Sequence, residues 1–278
     1  MKISVVIFAH DRPQYLSLIL DKISSIISSS SKFIDFFNSI EVIYSNSNSL
    51  PLEKLNNIKN IPVNYKESLN TKSSEKITLS FKLALRENIQ NHYFLYIDDD
   101  CLIDEKRFIN FFRKKDFSDK SIYSLYNSFS HRIFKYNKQN NYLEKKSAGM
   151  LGLLIPVNII REYISSTNIF KISPKVCGDS IFVEYFIQKY KKTILVNPIS
   201  IIQHIGFIGE NNNLSKYNVE YSASFLYENE SNSMYIELLI NQILSRKNYK
   251  FNINIWGKIN STIRYRILKK RIFAKSFS

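Results

Sequence analysis

The chain has 278 residues, 44% of them hydrophobic and 14% aromatic, and carries a formal net charge of +15. That is enough apolar mass for a substantial core, and it excludes an intrinsically disordered chain. No apolar run approaches the roughly 18 residues that would span a bilayer, and two distant cysteines, Cys101 and Cys177, argue against a disulfide framework and for a reducing cytoplasm.

Residues 3–9 are apolar and β-branched and read as a first strand; the apolar stretch is too short for a signal peptide. Pro13 suits a first helical turn, and Tyr15, Leu16, Leu18, Ile19, Ile23, Ile26 and Ile27 form a helical stripe that runs out near the serines at 28–31. Strands are expected at 40–44 and, more weakly, at 61–65, then a helix over 73–88 and a strand over 93–97. A helix from about 104 to 114 turns Phe108, Phe111 and Phe112 inward. Residues 121–126, then 132–136 and 142–146 around a turn at 138–141, predict further strands and a hairpin. A strand over 149–155, helices over 156–164 and 179–190, and a strand over 193–196 complete the pattern. This β-α-β-β-α-β-α succession predicts an α/β domain over residues 1–210 with a mostly parallel sheet flanked by helices.

The strand at 93–97 ends in Asp98, Asp99 and Asp100. Three adjacent carboxylates repel one another, so a buried strand gains nothing from them unless they make a solvated turn or hold a cation. Hard oxygen ligands suit Mg²⁺ or Mn²⁺ carrying a polyphosphate, and in open α/β sheets ligands collect at the carboxyl ends of strands. Asp11 and Arg12 follow the first strand and fall beside the same edge. The planar fork of Arg12 suits a uracil or a phosphate, or an ordinary ion pair with a nearby acid.

The run Val5-Val6-Ile7-Phe8-Ala9-His10-Asp11-Arg12-Pro13, the helix segment at 81–85, and Ile97-Asp98-Asp99-Asp100-Cys101 with its acidic, aromatic helix together resemble nucleotide-sugar glycosyltransferases of the GT-A (Rossmann-like) fold. The animal N-acetylglucosaminyltransferase I family is the nearest likeness; bacterial family 2 transferases are similar more loosely. The resemblance covers about residues 3–210. It implies Asp100 as a ligand of Mn²⁺ or Mg²⁺, Asp98 or Asp99 on the ribose or a metal-bound water, and Ala9, Asp11 and Arg12 on the nucleotide. It further implies a nucleoside diphosphate sugar, UDP-linked first of all, as donor, and a glycan or lipid-linked acceptor, as in bacterial surface polysaccharide or lipooligosaccharide synthesis. One departure stands out. Where such enzymes carry an acid for the base's imide N–H, this chain has Ser45-Asn46-Ser47, so Asn46 is expected at the base and the nucleotide stays open.

Two later residues fall in the matching order. Asp179, after Gly178, resembles the general base of inverting members, with Glu184 as the fallback; Asp is equally a common N-cap. His204, leaving an apolar run before Ile205 and Gly206, resembles the late His that serves some members as a metal ligand or diphosphate contact, although a packed His is the common alternative. His10, His92 and His131 lack such a context.

From Arg246 onward there are ten Lys or Arg and no acid, with Ile255, Ile259, Ile263 and Ile267 at four-residue spacing beside Trp256. Residues 211–278 therefore read as a helical, basic extension. It suits either an anionic surface on the inner face of the cytoplasmic membrane or packing on the body. Two other classes compete with a transferase. A sugar-nucleotide nucleotidyltransferase would need a Gly-rich phosphate loop, which six glycines do not supply. A nucleic-acid-binding protein would need a binding motif, and nucleic acid is not an expected partner.

Overall fold

The computed structural model describes residues 1–10, 12–29, 35–51, 55–68, 73–86, 92–113, 117–128, 131, 133–166 and 178–204. The expected Asp11, the segment preceding Gly178 and the whole basic extension lie outside the described residues.

The fold is α/β, with a large, mostly parallel central sheet flanked by helices. Strands β1 (Ile3–Ala9), β2 (Phe37–Tyr44), β3 (Asn57–Ile58), β4 (Ile61–Glu67) and β5 (Tyr93–Asp98) form one half of it. Strands β7 (Tyr123–Ser124), β8 (Ile133–Asn137), β9 (Tyr142–Lys145), β10 (Leu153–Pro156) and β11 (Ile194–Val196) form the other. Their order is β3-β4-β2-β1-β5-β10-β7-β11-β9-β8. Among these strands β3, β10 and β9 run against the rest. A separate pair joins β6 (Cys101–Ile103) to β12 (Ile202–His204).

Central strands are buried on both faces, which is why β1 and β5 are continuous apolar runs rather than alternating ones. On one face Ile3, Val5, Ile7 and Ala9 of β1 pack with Leu16, Ile19, Leu20 and Ile23 of α1 (Pro13–Ser28). Phe108, Phe111 and Phe112 of α3 (Glu105–Arg113) join them, each buried phenylalanine contributing roughly 1.5–3 kcal/mol. Lys22 reaches across with Nζ 2.9 Å from Glu105 Oε2, tying α1 to α3. On the other face Val6, Phe8, Phe94 and Tyr96 meet α2 (Ser73–Leu85), α4 (Val157–Ser165) and α5 (Gly178–Tyr190). Phe81, Tyr163 and Phe182, one from each helix, meet edge to face at 5.0–6.4 Å.

Several boundaries differ from the sequence reading. Residues 149–152 are not strand: Gly152 has φ +70° and makes a turn before β10 begins at Leu153. The 121–126 segment pairs only through Tyr123 and Ser124, because Leu125 leaves the ladder to bond the Gly152 turn and β12 while Tyr126 folds back onto the Ser124 hydroxyl. Strand β6, directly after the acids, had no legible signal. Asp104 is the N-cap of α3: its Oδ1 accepts the Arg107 backbone N–H at 2.9 Å. Leu18 is half-buried, and Leu20 takes its place in the stripe.

Candidate functional site

The sheet order reverses beside β1. The chain passes from β1 to β2 on one side, adds β4 beyond it, and returns to insert β5 on the other side. The carboxyl ends of β1 and β5 therefore lie at a topological switch point, the place where open α/β sheets bind ligands. Phe8 pairs with Asp98 in register, so the residues after each strand emerge side by side.

Backbone and side chains lock this edge together. The Asp99 N–H donates to Phe8 O at 3.1 Å. The His10 N–H donates to Asp99 Oδ2 at 3.1 Å. Arg12 Nη2 donates to Asp99 Oδ1 at 2.8 Å, and Nη1 donates to Asp100 Oδ2. Both acids are buried, and Arg12 is partly so. Burial works against the Arg12 charge, but Asp100 and Asp99 outweigh it and hold the guanidinium pKa above its usual value. Burial also pushes Asp99 well above the carboxylate range; Arg12 opposes that, and the adjacent Asp100 adds to it. Asp100 goes the other way. Burial raises it, but His204 and Arg12 together hold it far below the usual range.

His204 arrives by strand pairing. In the β6–β12 register it stands opposite Cys101, one residue past Asp100, and its Nε2 lies 3.3 Å from Asp100 Oδ2. Pairing of β12 is secured below the site. Ile201 N–H donates to Leu125 O at 2.8 Å, Asp104 N–H to Ile201 O at 2.9 Å, and Asn127 N–H to Ser200 Oγ at 2.9 Å. Gly152 braces the same wall. Its N–H donates to Tyr96 O and its carbonyl accepts from Leu125 N–H, both at 2.9 Å.

The second strand supplies a polar flank. Asn46 precedes a short 3-10 turn, Ser47–Ser49, and its Oδ1 accepts from Ser49 Oγ at 3.3 Å. Ser45 Oγ is 2.6 Å from His10 Nδ1, and its N–H donates to Ala9 O at 3.3 Å. His10 therefore belongs to the site although the sequence offered it no role; its place directly after β1 was the signal. Ala9 contributes only backbone and a buried methyl.

The structure thus brings Ala9, Arg12, Asn46, Asp98, Asp99, Asp100 and His204 to one edge. Asp179 lies in the first turn of α5, within the helix rather than at its N-cap, since the helix already includes Gly178; its side chain lies outside the described residues. Glu184 is exposed and accepts from Gln188 Nε2 at 2.8 Å along the outer face of α5.

A hard divalent cation fits this edge. Among the described residues nothing hydrogen-bonds the buried Asp100 Oδ1, a costly state for a carboxylate oxygen unless something positive meets it. Among the described residues no group of three or more His, Cys, Asp and Glu is arranged to hold a metal by itself. Asp100 and His204 would therefore be two protein ligands of a shell completed by water and phosphate oxygens.

No family model and no curated protein matches the chain. Among solved structures it is similar to the crystal structure of S. aureus TarS 1–349, with 11% sequence identity and a TM-score of 0.41 over 89% of this chain and 67% of that one.

Proposed function

We propose that this protein is a metal-dependent nucleotide-sugar glycosyltransferase of GT-A architecture. It moves a sugar from a nucleoside diphosphate, UDP first of all, to a glycan or lipid-linked acceptor. The observation that carries the reading is the buried Asp100 carboxylate at the switch point, whose Oδ1 has no partner among the described residues while His204 Nε2 lies 3.3 Å from its Oδ2.

In this reading Asp100 and His204 hold Mn²⁺ or Mg²⁺, which supplies charge neutralisation for the departing diphosphate. Asp98 and Asp99 face the ribose and the water shell. Arg12 offers a guanidinium fork to the phosphates. His10, Ser45 and Asn46 line the base side with hydroxyl, amide and imidazole groups in place of a carboxylate, which discriminates less sharply between bases. Asp179 accepts the proton of the acceptor hydroxyl as its oxygen bonds to the anomeric carbon and the bond to the diphosphate breaks. That single displacement inverts the anomeric configuration.

The test is a thermal-shift screen of nucleotide sugars with and without Mn²⁺, because a ligand bound only by the folded state raises its stability. One donor is expected to raise the melting temperature only when metal is present, and to be slowly hydrolysed. A flat response across UDP, GDP and CDP sugars overturns the reading.

A further inference from the structure

Arg12 stands on the carboxylate that would hold the metal, Asp100, and on its neighbour Asp99. Its two terminal nitrogens divide between Asp100 Oδ2 and Asp99 Oδ1, and both acids are buried. A guanidinium and a divalent cation are both positive and would sit on the two oxygens of one buried carboxylate, so they repel one another strongly at that separation. The remaining Asp100 oxygen, Oδ1, is the one Arg12 leaves uncovered. The hold on Arg12 is by side chain: Nε donates to His10 O at 3.3 Å, and Cζ lies 5.9 Å from the centre of the Tyr15 ring. Arg12 sits just outside α1 with non-helical backbone angles (φ −138°, ψ 65°). Its fork can leave the acids by side-chain rotation without disturbing the helix.

The geometry points to Arg12 as the resident counter-ion of the acid pair, displaced by metal and diphosphate acting together. A cation arriving alone at Asp100 Oδ1 meets the guanidinium charge on the same carboxylate, and driving the fork away would leave a partly buried guanidinium without an anion, a change that is strongly unfavourable. A metal-bound diphosphate gives the displaced fork a new bidentate partner. Metal and nucleotide then bind cooperatively, and each tightens the other by the same factor. This rests on the functional reading above and adds a switch to it: the acids are kept neutralised until the donor arrives.

The experiment titrates Mn²⁺ into the full chain, following free Mn²⁺ by its EPR signal, for wild type and Arg12→Gln, with and without a nucleoside diphosphate (UDP, then GDP and CDP). Wild type is expected to bind Mn²⁺ weakly alone and more tightly with nucleotide. Arg12→Gln is expected to bind Mn²⁺ alone about tenfold or more tightly than wild type, with the nucleotide effect reduced. If the Gln variant does not melt cooperatively, Arg12→Lys decides. It keeps the charge but has no planar fork to bridge two carboxylates, and it too must bind Mn²⁺ alone more tightly than wild type. Unchanged or weaker metal-only affinity in the folded variant, while wild type still binds metal with nucleotide, overturns this inference alone. Wild type that takes up no Mn²⁺ with any nucleotide overturns the functional reading as well.

Discussion

His204 Nε2 lies 3.3 Å from Asp100 Oδ2, and the contact is the product of strand pairing between β6 and β12 rather than of neighbouring sequence. It sets the electrostatics of a deeply buried carboxylate. Burial raises its pKa, but the imidazole first and Arg12 second more than cancel that effect. An ionised acid with one oxygen uncovered is what a hard cation needs.

Asp100→Asn keeps the shape of the side chain and removes its charge. Mn²⁺-dependent binding of a nucleoside diphosphate, measured by calorimetry, should fall by more than the roughly 10–100-fold that outer-shell changes cause. His204→Gln should give a smaller loss in the same assay. Wild-type affinity in both variants would remove the metal from this edge.

Asp179→Asn is expected to keep donor binding and to lose about 10²–10⁴-fold in transfer. The wild-type product should carry the anomeric configuration opposite to the donor's, read from NMR coupling constants. Retention of configuration would overturn the assignment of Asp179 as base.

Gly152 has φ +70°, and a Cβ there would meet Ile202 Cδ1 at 3.0 Å, with Leu125 Cβ and Tyr126 N at 3.4 Å. Gly152→Ala should therefore cost about 1–3 kcal/mol, seen as a lower urea midpoint. Because Ile202 opens β12, the displacement should also reach His204 and weaken Mn²⁺ binding. A lower midpoint with metal affinity intact would separate the turn from the site.

Alkaline stability should depend on Tyr93, whose hydroxyl donates to Phe117 O at 2.8 Å. Burial, with Tyr123 and Asp119 adding to it, raises its pKa from 10.0 to about 12. Between these values the unfolded chain loses the proton while the folded one keeps it. The contribution is thus complete below pH 10 and disappears as the pH rises through about 12. Tyr93→Phe should lose about 1 kcal/mol at pH 8 and then decline less steeply above pH 10 in urea titrations. Identical slopes for the two proteins would exclude Tyr93 as the source.

The basic extension, with ten cationic residues and no acid from Arg246 on, should attach reversibly to anionic vesicles. Truncation at Asn248 should reduce co-sedimentation, most visibly at low ionic strength, and leave donor binding intact. Loss of the cooperative melt would place its isoleucines in the core instead.

By itself the sequence determined what depends on local pattern. Ile3, Val5, Val6 and Ile7, with Phe94, Leu95 and Ile97, announce central strands because both faces of such strands must be apolar. The stripe from Tyr15 to Ile27 announces α1 because its spacing matches the helical repeat, and three acids closing a buried strand announce a site because nothing structural rewards them there. Tertiary structure alone decided what depends on pairing between distant segments. Strands β6 and β12 have three residues each, too few for a periodic signal, and only their register sets His204 beside Asp100. The turn at Gly152 was hidden inside an apolar run, since hydrophobicity does not report φ. His10 gained Ser45 and Asp99 as partners only when β1, β2 and β5 aligned their carboxyl ends. Arg12 could be read as cationic and near the site. That its charge rests on Asp99 and Asp100 follows from the fold, which buries the acids where that guanidinium can reach both.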